Sequence, residues 1–455
     1  MDFKDFRDYL DGLEKQGMLL RVKKQASPRF EIAAAIHKTG KVDGPALLFV
    51  NIEGFPGWRV AGGLFVTERL LAFALQVDRS KLLEHYLGLG QRRIKPVLVS
   101  SGPVKETIIK GADIDLARIP FLTYCEGDAL PYHHAGVQIA RHPETGIQNA
   151  SIQRMSILGK DKMGLYLSRA SHLALMIQAA EERGQGLEIA TVVAAHPVLC
   201  IAGGFRAPMD VDEIEIAGAL RGRPFEVVKG ETIDVHVPAD AELVIEGITV
   251  PAGRVIEGAW GGPRGNYILP VHQYTRRPDG KPVSEGFVVR VTAVTMRRNP
   301  IYLAMTAGLA PSDNESLVRW NTTANIYQLV TRLVPSSEDI RGVNVNGQHA
   351  VISVRKRSEA TPKDIISAVL TQLGTKCVIV VDDDIDVYDS SEVEWAIDTR
   401  VEPERDVIMV AAANGLPTLG KWGIDATAPL SGEPFGEGWL YKKALPPGID
   451  QVDCI

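Results

Sequence analysis

Beyond Arg223 the chain is rich in short apolar segments separated by turn residues. This pattern restricts the possible folds more than any other feature of the sequence. The segments are FEVVKG, TIDVHV, ELVIEGITV and GFVVRVTAVTMRR. Upstream, AGVQIAR, ASIQRMSIL and TVVAAH have the same character, while HLALMIQAAEERG has helical spacing. Successive strands with turns between them are typical of an antiparallel sheet or barrel. The sequence therefore predicts a central domain built around such a sheet.

The segments on either side alternate between helix and strand patterns. Residues 2–16 have helical spacing and precede the strand pattern LLRVKK, the helix pattern RFEIAAAIHKTG and the strand pattern ALLFVNI. After a long helical stretch from about Asn314 to Val334, AVISVRKRS, a helix over 362–373, CVIVVDDDIDVYD and a helix over 391–397 restore the alternation. Such alternation indicates α/β domains. We predict an α/β (α+β) multidomain chain with an N-terminal α/β domain over 1–112, a barrel-like domain over 113–312, a linking helix over 313–336 and a C-terminal α/β domain over 337–455.

Composition limits the function classes. The 455 residues carry a formal net charge of −6, without the clustered basic excess of nucleic-acid binders. The opening MDFKDFRDYLDGLEKQG is unlike a signal peptide, and no apolar run approaches the ~20 residues of a membrane-spanning helix. The cysteines lie far apart without a CxxC, so neither a zinc site nor a disulfide framework is indicated (Cys125, Cys200, Cys377 and Cys454). We expect a cytoplasmic protein with no nucleic-acid partner and no membrane span.

Four polar residues of the central region could carry chemistry. Asn149 and Arg154 belong to QNASIQRM, His172 precedes the apolar helix pattern LALM, and Glu213 opens the helix pattern EIEIAGALRG. Each has an ordinary alternative as a turn residue, a surface ion-pair residue, a polar residue at a helix N-terminus or a partner of the helix dipole. On one uninterrupted strand Asn149 and Arg154 would face opposite sides, so only a bulge or a strand end could bring both to one site.

Together, three of these residues could form a metal site. The amide oxygen of Asn149, the imidazole of His172 and the carboxylate of Glu213 would make a mixed oxygen and nitrogen ligand set. Such a set suits Mn²⁺ or Mg²⁺ better than zinc, which prefers thiolate or more imidazole. The residues alone leave open whether the three converge.

Long stretches of the chain resemble the UbiD family of reversible (de)carboxylases, which use prenylated FMN. The resemblance runs nearly end to end through DFRDYLDGLEKQGMLLRV, NASIQRM, HLALM, EIAGALRG, VPADAELVIEG, VTAVTMRRNPIYLAM, VVDDDIDVYDSSEVEWAIDTR and KWGIDATAP. It implies a UbiD-like fold in which a central split β-barrel binds flavin and metal and the C-terminal α/β domain mediates oligomerisation, as a homodimer or homohexamer. It also implies a carboxy-lyase supplied with cofactor by a flavin prenyltransferase.

The resemblance carries specific residues over to this chain. It implies that Asn149, His172 and Glu213 hold a divalent metal, usually Mn²⁺, with Mg²⁺ and K⁺ as further candidate cations. Arg154 matches the arginine of the family's Glu–Arg–Glu network, and AGGFRAP matches a segment that lines the cofactor. The implied cofactor-binding residues are Asn149, Ser151, Ile152, Arg154, Ser171, His172, Ala202, Gly203, Gly204, Phe205, Pro208 and Glu213.

The glycine-rich segment VIEGAWGGPRGNYILP departs from the family pattern. That pattern typically continues as EGPFGE, which supplies two acids, whereas an ungapped count here gives EGAWGG, with Glu257 as the first acid and Gly262 in place of the second. A shifted register that lays GGPRGN over the motif would lose both acids but requires an insertion. The second acid is the one held to protonate the substrate carbon after CO₂ leaves, so two roles remain open for Glu257. It either orients Arg154 through an ion pair or acts as the general acid.

The resemblance implies a substrate whose carboxylate sits on an aromatic, heteroaromatic or α,β-unsaturated carbon and leaves as CO₂. Arg154 is the natural partner of that carboxylate, since a guanidinium matches it with two parallel hydrogen bonds. Arg264 is a candidate for a second anionic group, which predicts an acid larger or more polar than cinnamate, and Ile397 is a candidate pocket residue.

Two alternatives come from other function classes. One is a flavin-binding homologue without decarboxylase activity, a cofactor carrier or assembly subunit, which the glycine at 262 makes conceivable. The other is an FMN oxidoreductase on a similar barrel, although the sequence contains no strand–GxGxxG–helix unit for a dinucleotide.

Overall fold

The computed structural model describes residues 3–134, 136–168, 171–262, 267–268, 285–410, 420–430 and 441–443. The chain forms two compact units, Met1–Asn321 and Thr322–Ile455. Within the described residues, no helix is both long enough and apolar enough to cross a membrane. Cys125, Cys200 and Cys377 are free thiols.

The first unit begins with helices packed around a four-stranded sheet. Helix α1 starts where the carboxylate of Asp5 accepts the backbone N–H of Asp8, which satisfies a donor that the helix itself leaves free. The strands of the sheet are ordered β1-β2-β3-β18. The N-terminal elements are α1 (Phe6–Lys15), β1 (Leu19–Val22), α2 (Glu31–Gly40), β2 (Ala46–Phe49), β3 (Arg59–Gly62), α3 (Glu68–Leu75), α4 (Leu82–Leu87), β4 (Val97–Leu98) and β5 (Thr107–Lys110), with β18 (Ile301–Ala304) returning from later in the chain.

The centre of the first unit is a nine-stranded sheet flanked by helices. The remaining elements are β6 (Tyr132–His133), β7 (Val137–Arg141), β8 (Gln148–Ile152), β9 (Arg154–Ile157), β10 (Lys162–Tyr166), α5 (His172–Glu181), β11 (Glu188–Ala194), α6 (Val198–Gly204), α7 (Glu213–Arg221), β12 (Glu226–Lys229), β13 (His236–Pro238), β14 (Leu243–Ile256), β15 (Trp260–Gly261), β16 (Tyr267–Ile268), β17 (Glu285–Met296) and α8 (Asp313–Val330). The large sheet has the order β6-β9-β10-β17-β14-β11-β7-β8, with β5 paired to β17. Two small sheets, β13-β12-β4 and β15-β16, complete the unit.

The large sheet is curled. Strands β8 and β9 are joined by the single residue Gln153, yet they lie near opposite ends of the strand order. One residue cannot span a flat sheet of this width, so the two ends must approach each other. The backbone N–H of Gln153 donates to the carbonyl of Gly136 at 3.2 Å, which links the β8–β9 connection to the residue just before β7.

The second unit has a five-stranded sheet with strand order β19-β20-β21-β23-β22. Its core consists of aliphatic side chains from the end of α8, from the sheet and from α9. Its elements after α8 are β19 (Ile340–Asn346), β20 (His349–Val354), α9 (Thr361–Gln372), β21 (Cys377–Asp382), α10 (Ser390–Arg400), α11 (Pro403–Asp406), β22 (Val407–Val410) and β23 (Lys421–Ala426).

The predicted fold class is confirmed, and three local predictions differ from the structure. ASIQRMSIL forms two strands rather than one, because the chain crosses between the sheet ends at Gln153. TIDVHV is a strand only from His236 to Pro238. The helix predicted to reach 334 ends at Val330, shortly before Pro335, whose ring disfavours helical geometry in the residue before it.

Candidate functional site

Asn149 and Glu213 lie in direct contact. The side-chain amide of Asn149, on β8, donates to both carboxylate oxygens of Glu213 at 3.0 and 3.2 Å, and the backbone N–H of Ala150 donates to Oε2 at 2.7 Å. Asn149 is 5% and Glu213 2% exposed. Burial raises the pKa of Glu213 to about 8, because a carboxylate loses hydration when it leaves water. The amide oxygen of Asn149 has no hydrogen-bond partner among the described residues.

Two helix N-termini line the same cavity as these residues. Glu213 is the first residue of α7, whose N-cap Asp212 accepts the N–H of Ile214. His172 is the first residue of α5, whose N-cap Ser171 accepts the N–H of Ala174. Free backbone N–H groups and the helix dipole make such ends favourable for anions.

A cavity of about 410 Å³ collects most of the predicted cofactor and metal residues. The predicted residues on its wall are Asn149, Ser151, Ile152, Ser171, His172, Gly203, Gly204, Phe205 and Glu213. We name this space the Asn149 cavity. Ala202 and Pro208 flank its lining segment without reaching the wall, and Arg154 follows the lining residue Gln153.

Sequence reasoning missed other residues on the same wall, namely Gln153, Ser168, Asn314, Leu317 and Val318, whereas the further wall residues Arg206 and Ala207 belong to AGGFRAP, which was expected to line the cofactor. Asn314, Leu317 and Val318 belong to the first turns of α8. No local pattern signals that α8 begins at this cavity, because its approach depends on the tertiary fold.

Arg154 and Glu257 form a two-pronged ion pair. Nε donates to Oε1 at 2.6 Å and Nη2 to Oε2 at 2.7 Å. The Glu257 side chain is 0% exposed and that of Arg154 30% exposed. Among the described residues, the side-chain hydrogen bonds of Arg154 leave from Nε and Nη2, and none leaves from Nη1.

The guanidinium of Arg154 lies over two aromatic rings. The guanidinium carbon lies 4.1 Å from the centre of the Trp260 ring and 5.5 Å from that of Tyr166. Tyr132 joins Tyr166 and Trp260 in a small buried cluster. Cation–π attraction favours the charged guanidinium in this position. The three rings come from β6, β10 and β15, and Trp260 belongs to the EGAWGG segment.

Asn149 and Arg154 do not lie on one uninterrupted strand, because the chain breaks between β8 and β9. Asn149 lies in the strand at one end of the large sheet, and Arg154 opens the strand that begins beyond Gln153. The alternation of side chains along a strand therefore does not run from one residue to the other. Strand alternation thus does not prevent the two side chains from lying at the same site.

The sequence also singled out Gly262, Arg264 and Ile397. Gly262 is buried and lines a second cavity, with Tyr124, Cys125 and Tyr267. Arg264 lies outside the described residues. Ile397 is in α10 of the second unit, where it packs against the aliphatic cluster around Val381 and Ile424. Among the described residues, no three His, Cys, Asp or Glu side chains are grouped for a metal, so a metal at the Asn149 cavity depends on the amide of Asn149.

Sequence models of the 3-octaprenyl-4-hydroxybenzoate carboxy-lyase (UbiD) family match the chain in three parts. The N-terminal domain matches residues 10–89, the Rift-related domain 95–310 and the C-terminal domain 316–426. A phenolic acid decarboxylase of Streptomyces sp. (strain D7) is 29% identical over 98% of this chain and 96% of its own length.

Solved structures agree with this assignment. An evolved dimeric form of the UbiD-class enzyme HmfF from Pelotomaculum thermopropionicum, in complex with prFMN, is 35% identical with a TM-score of 0.84, over 99% of both chains. The vanillic acid decarboxylase of Sedimentibacter hydroxybenzoicus in its closed form is 26% identical with a TM-score of 0.82, over 99% of this chain and 97% of its own. With family matches extending from the N-terminal to the C-terminal domain, the chain belongs to the UbiD family of carboxy-lyases.

Proposed function

We propose that this enzyme catalyses the non-oxidative, reversible decarboxylation of an aromatic, heteroaromatic or α,β-unsaturated carboxylic acid, with prenylated FMN and a divalent metal. The observation that carries the proposal is the Asn149 cavity, which gathers an amide, an imidazole and a carboxylate next to the Arg154–Glu257 pair. A flavin prenyltransferase would supply the cofactor. A homodimer or homohexamer is the expected assembly.

The residues at the cavity fit a divalent metal. Asn149 presents a buried oxygen without a hydrogen-bond partner among the described residues, and Glu213 presents a carboxylate whose burial opposes its charge. A cation would satisfy the oxygen and offset the cost of the buried charge. With His172 as the third ligand, the oxygen-rich set suits Mn²⁺, and Mg²⁺ and K⁺ are candidates to test beside it.

The cavity also fits a flavin nucleotide. The N-termini of α5 and α7 both contribute residues to its wall, and free N–H groups at such ends bind phosphate. Gly203 and Gly204 leave the end of α6 without side chains, so that a flat ring could approach the backbone. When bound, prenylated FMN supplies the electron sink for the pair left on carbon as CO₂ departs.

Arg154 is proposed to bind the substrate carboxylate. Its Nε and Nη2 each give one N–H to Glu257, so the N–H groups of Nη1 and the second N–H of Nη2 are those left to bind the substrate carboxylate. Glu257 accepts from the guanidinium on both oxygens, and in that arrangement neither oxygen has a proton to give. We therefore assign Glu257 the role of orienting Arg154. With glycine at 262, the proton for the substrate carbon would come from water, either directly or through Glu257 once the pair has opened and its carboxylate has taken up a proton from water.

The test is CO₂ release by protein co-expressed with a flavin prenyltransferase and supplied with Mn²⁺. A panel of carboxyl-labelled aromatic, heteroaromatic and acrylic acids should yield labelled CO₂ from at least one member. Arg154→Gln should abolish release, while Arg290→Gln, the same change at an exposed arginine of β17, should not. Consumption of NAD(P)H without CO₂ release would favour an oxidoreductase. A bound flavin with no turnover of any acid would favour a cofactor carrier.

A further inference from the structure

Three aromatic rings meet beside the Arg154–Glu257 pair. The ring centres of Tyr132 and His134 lie 5.6 Å apart, and each lies 6.1 Å from the ring centre of Trp260. All three side chains are buried. The guanidinium of Arg154 lies over the Trp260 ring, and the pKa of Tyr132 is raised by burial and by the charge of Glu257. We name these three rings the Tyr132 cluster.

The polar atoms of the Tyr132 cluster are buried without partners. The hydroxyl of Tyr132, both ring nitrogens of His134 and Nε1 of Trp260 make no hydrogen bond with the described residues. Leaving a buried donor or acceptor unpaired is costly, and native structures nearly always pair such atoms with protein or with ordered water. Four of these atoms on three adjoining rings indicate a small hydrogen-bonding guest among them.

The chemistry of these atoms suits a water molecule. Burial, with the charge of Arg154 adding, lowers the pKa of His134 to about 3, so the neutral ring has one N–H donor and one acceptor nitrogen. The indole of Trp260 only donates, whereas the hydroxyl of Tyr132 both donates and accepts. A buried water typically makes about three hydrogen bonds to protein groups, and this mixed set can supply them.

The Tyr132 cluster lies between a cavity and the ion pair. On one side, the Tyr124 ring stacks on His134 with centres 4.3 Å apart and planes 15° apart. Tyr124 is partly exposed and lines the second cavity, the one that Gly262 also lines. On the other side lies Glu257, whose side chain is fully buried. Water that enters the second cavity is therefore separated from His134 by a single ring.

We propose that the Tyr132 cluster holds a buried water beside Glu257, and that this water is the source of the proton that the substrate carbon receives. It would thus replace the acid that is missing at Gly262. The inference rests on the proposed function for the reaction that consumes the proton. Tyr132, His134 and Trp260 are positioning residues in this scheme, because they act on the reaction through the water.

The proton balance closes without a further reactant. When the pair with Arg154 opens, the water gives one proton to the Glu257 carboxylate and regains one from solvent on the Tyr124 side. Glu257 then gives its proton to the carbon that has lost CO₂ and returns to Arg154 as a carboxylate. One proton from solvent is consumed for each CO₂ released.

A high-resolution crystal structure of the full chain tests the water without cofactor or turnover. Density for a water within about 3.2 Å of at least two of the four polar atoms is expected. His134→Phe keeps a ring in the stack and deletes both nitrogens, so this variant should lose or displace the water. Rings in the wild type that close on one another, with no water among them, would overturn the inference.

Kinetics of the loaded enzyme tests the role of the water. Tyr132→Phe and His134→Phe should leave KM unchanged, because the substrate carboxylate meets Arg154, and should lower kcat about 10-fold. This loss is smaller than the roughly 100-fold or more of general acid–base catalysis as a whole, since each variant leaves the water other partners. The solvent deuterium isotope effect on kcat should rise. His134→Gln, whose amide can donate and accept, should recover most of the loss.

Tyr86→Phe is the matched control. The hydroxyl of Tyr86 is also buried without a partner among the described residues, but its ring stacks on Trp320 rather than on the Tyr132 cluster. This variant should leave kcat and the isotope effect unchanged. An unchanged kcat in both cluster variants, or an equal loss in Tyr86→Phe, would contradict the role assigned to the water.

The two readouts separate the inference from the proposed function. A water in the Tyr132 cluster of a protein that decarboxylates no acid would uphold the water site and overturn its role together with the decarboxylase proposal. Decarboxylation by a protein whose cluster holds no water would uphold the proposed function and overturn the inference alone.

Discussion

Arg154 and Glu257, 103 residues apart in the chain, are joined by parallel hydrogen bonds of 2.6 Å (Nε to Oε1) and 2.7 Å (Nη2 to Oε2). The carboxylate is fully buried, whereas the arginine keeps part of its surface open. Two parallel bonds fix the plane of the guanidinium as well as its position. The pair thus holds the guanidinium of Arg154 in one orientation.

If Glu257 orients Arg154, the two residues act as a unit. Glu257→Gln removes the charge from a hydrogen-bonded pair, which typically costs about 1.5–3 kcal/mol, and kcat/KM should fall roughly 10- to 100-fold. Arg154→Lys, which loses the fork, should cost a similar factor, and the double variant should cost little more than either alone. Steady-state kinetics of the three variants measures this coupling.

The chain contains a matched control for that cycle. Arg254 forks onto Glu181 at 2.7 and 2.6 Å and lies 4.5 Å from the Phe287 ring centre, away from the Asn149 cavity wall. Glu181→Gln should leave kcat/KM unchanged. Losses that simply add in the Arg154/Glu257 double variant would show that Glu257 has a role of its own, such as proton donation.

Trp260 should affect activity through its cation–π contact with Arg154. Trp260→Leu removes a cation–π contact worth about 0.5–2 kcal/mol, so kcat/KM should fall about 2- to 30-fold, and Trp260→Phe should lie between. Phe287→Leu is the corresponding change at Arg254 and should leave kinetics alone. Equal losses for both leucine variants would point to a general effect on folding rather than to Arg154.

Mn²⁺ should stabilise the apoprotein through Asn149, His172 and Glu213. A metal that binds only the folded chain adds about 2.7 kcal/mol at 100 times its Kd, which would appear as a rise in Tm reversed by EDTA. Glu213→Gln should eliminate this rise, while Glu226→Gln, at an exposed site on β12, should retain it. A rise that survives in Glu213→Gln would place the metal elsewhere.

His196 makes stability depend on pH in a predictable direction. It is buried beside the rings of Phe3 and Phe225, and burial, with Arg221 adding, lowers its pKa from 6.5 to about 3. Between these values the unfolded chain binds a proton that the folded chain does not. The stability present above pH 6.5 is therefore lost as pH falls towards 3, by up to ~1.4 kcal/mol per pH unit.

His196→Asn should remove this contribution, since its side-chain oxygen can still accept the Val198 N–H that His196 Nδ1 accepts. Urea unfolding at about pH 4, 5 and 6 measures the difference in unfolding free energy between variant and wild type. This difference should change with pH by up to ~1.4 kcal/mol per pH unit, the slope for one proton. Because both proteins share every other titrating group, the comparison isolates His196. A difference that stays constant across this range would contradict the assignment.

Much of the fold follows from local sequence. The helices that begin at His172 and Glu213 start after Ser171 and Asp212, side chains that cap N-termini. The apolar runs of the central region become the strands of the large sheet. Closure of that sheet could not be predicted in the same way, because the crossing at Gln153 is set by pairing between distant strands rather than by its neighbours in sequence.

The candidate site divides along similar lines. Residue chemistry suggested that Asn149, His172 and Glu213 suit one cation, but only the family resemblance implied that they meet. The rings around Arg154 carry no polar signature in the sequence, and their role emerges from contacts between β6, β10 and β15. Gly262 stood out as a missing acid, while its place on a second cavity depends on α2, more than 200 residues earlier in the chain.

The measurement that tests the central claim most directly is mass spectrometry of the small molecule released from protein co-expressed with a flavin prenyltransferase and supplied with Mn²⁺. We predict prenylated FMN together with manganese from the wild type, and neither from a chain carrying both Asn149→Ala and Glu213→Gln. If the wild type, correctly folded, releases only FMN or nothing, the Asn149 cavity is not a prenylated-FMN site and the proposed decarboxylase mechanism is contradicted.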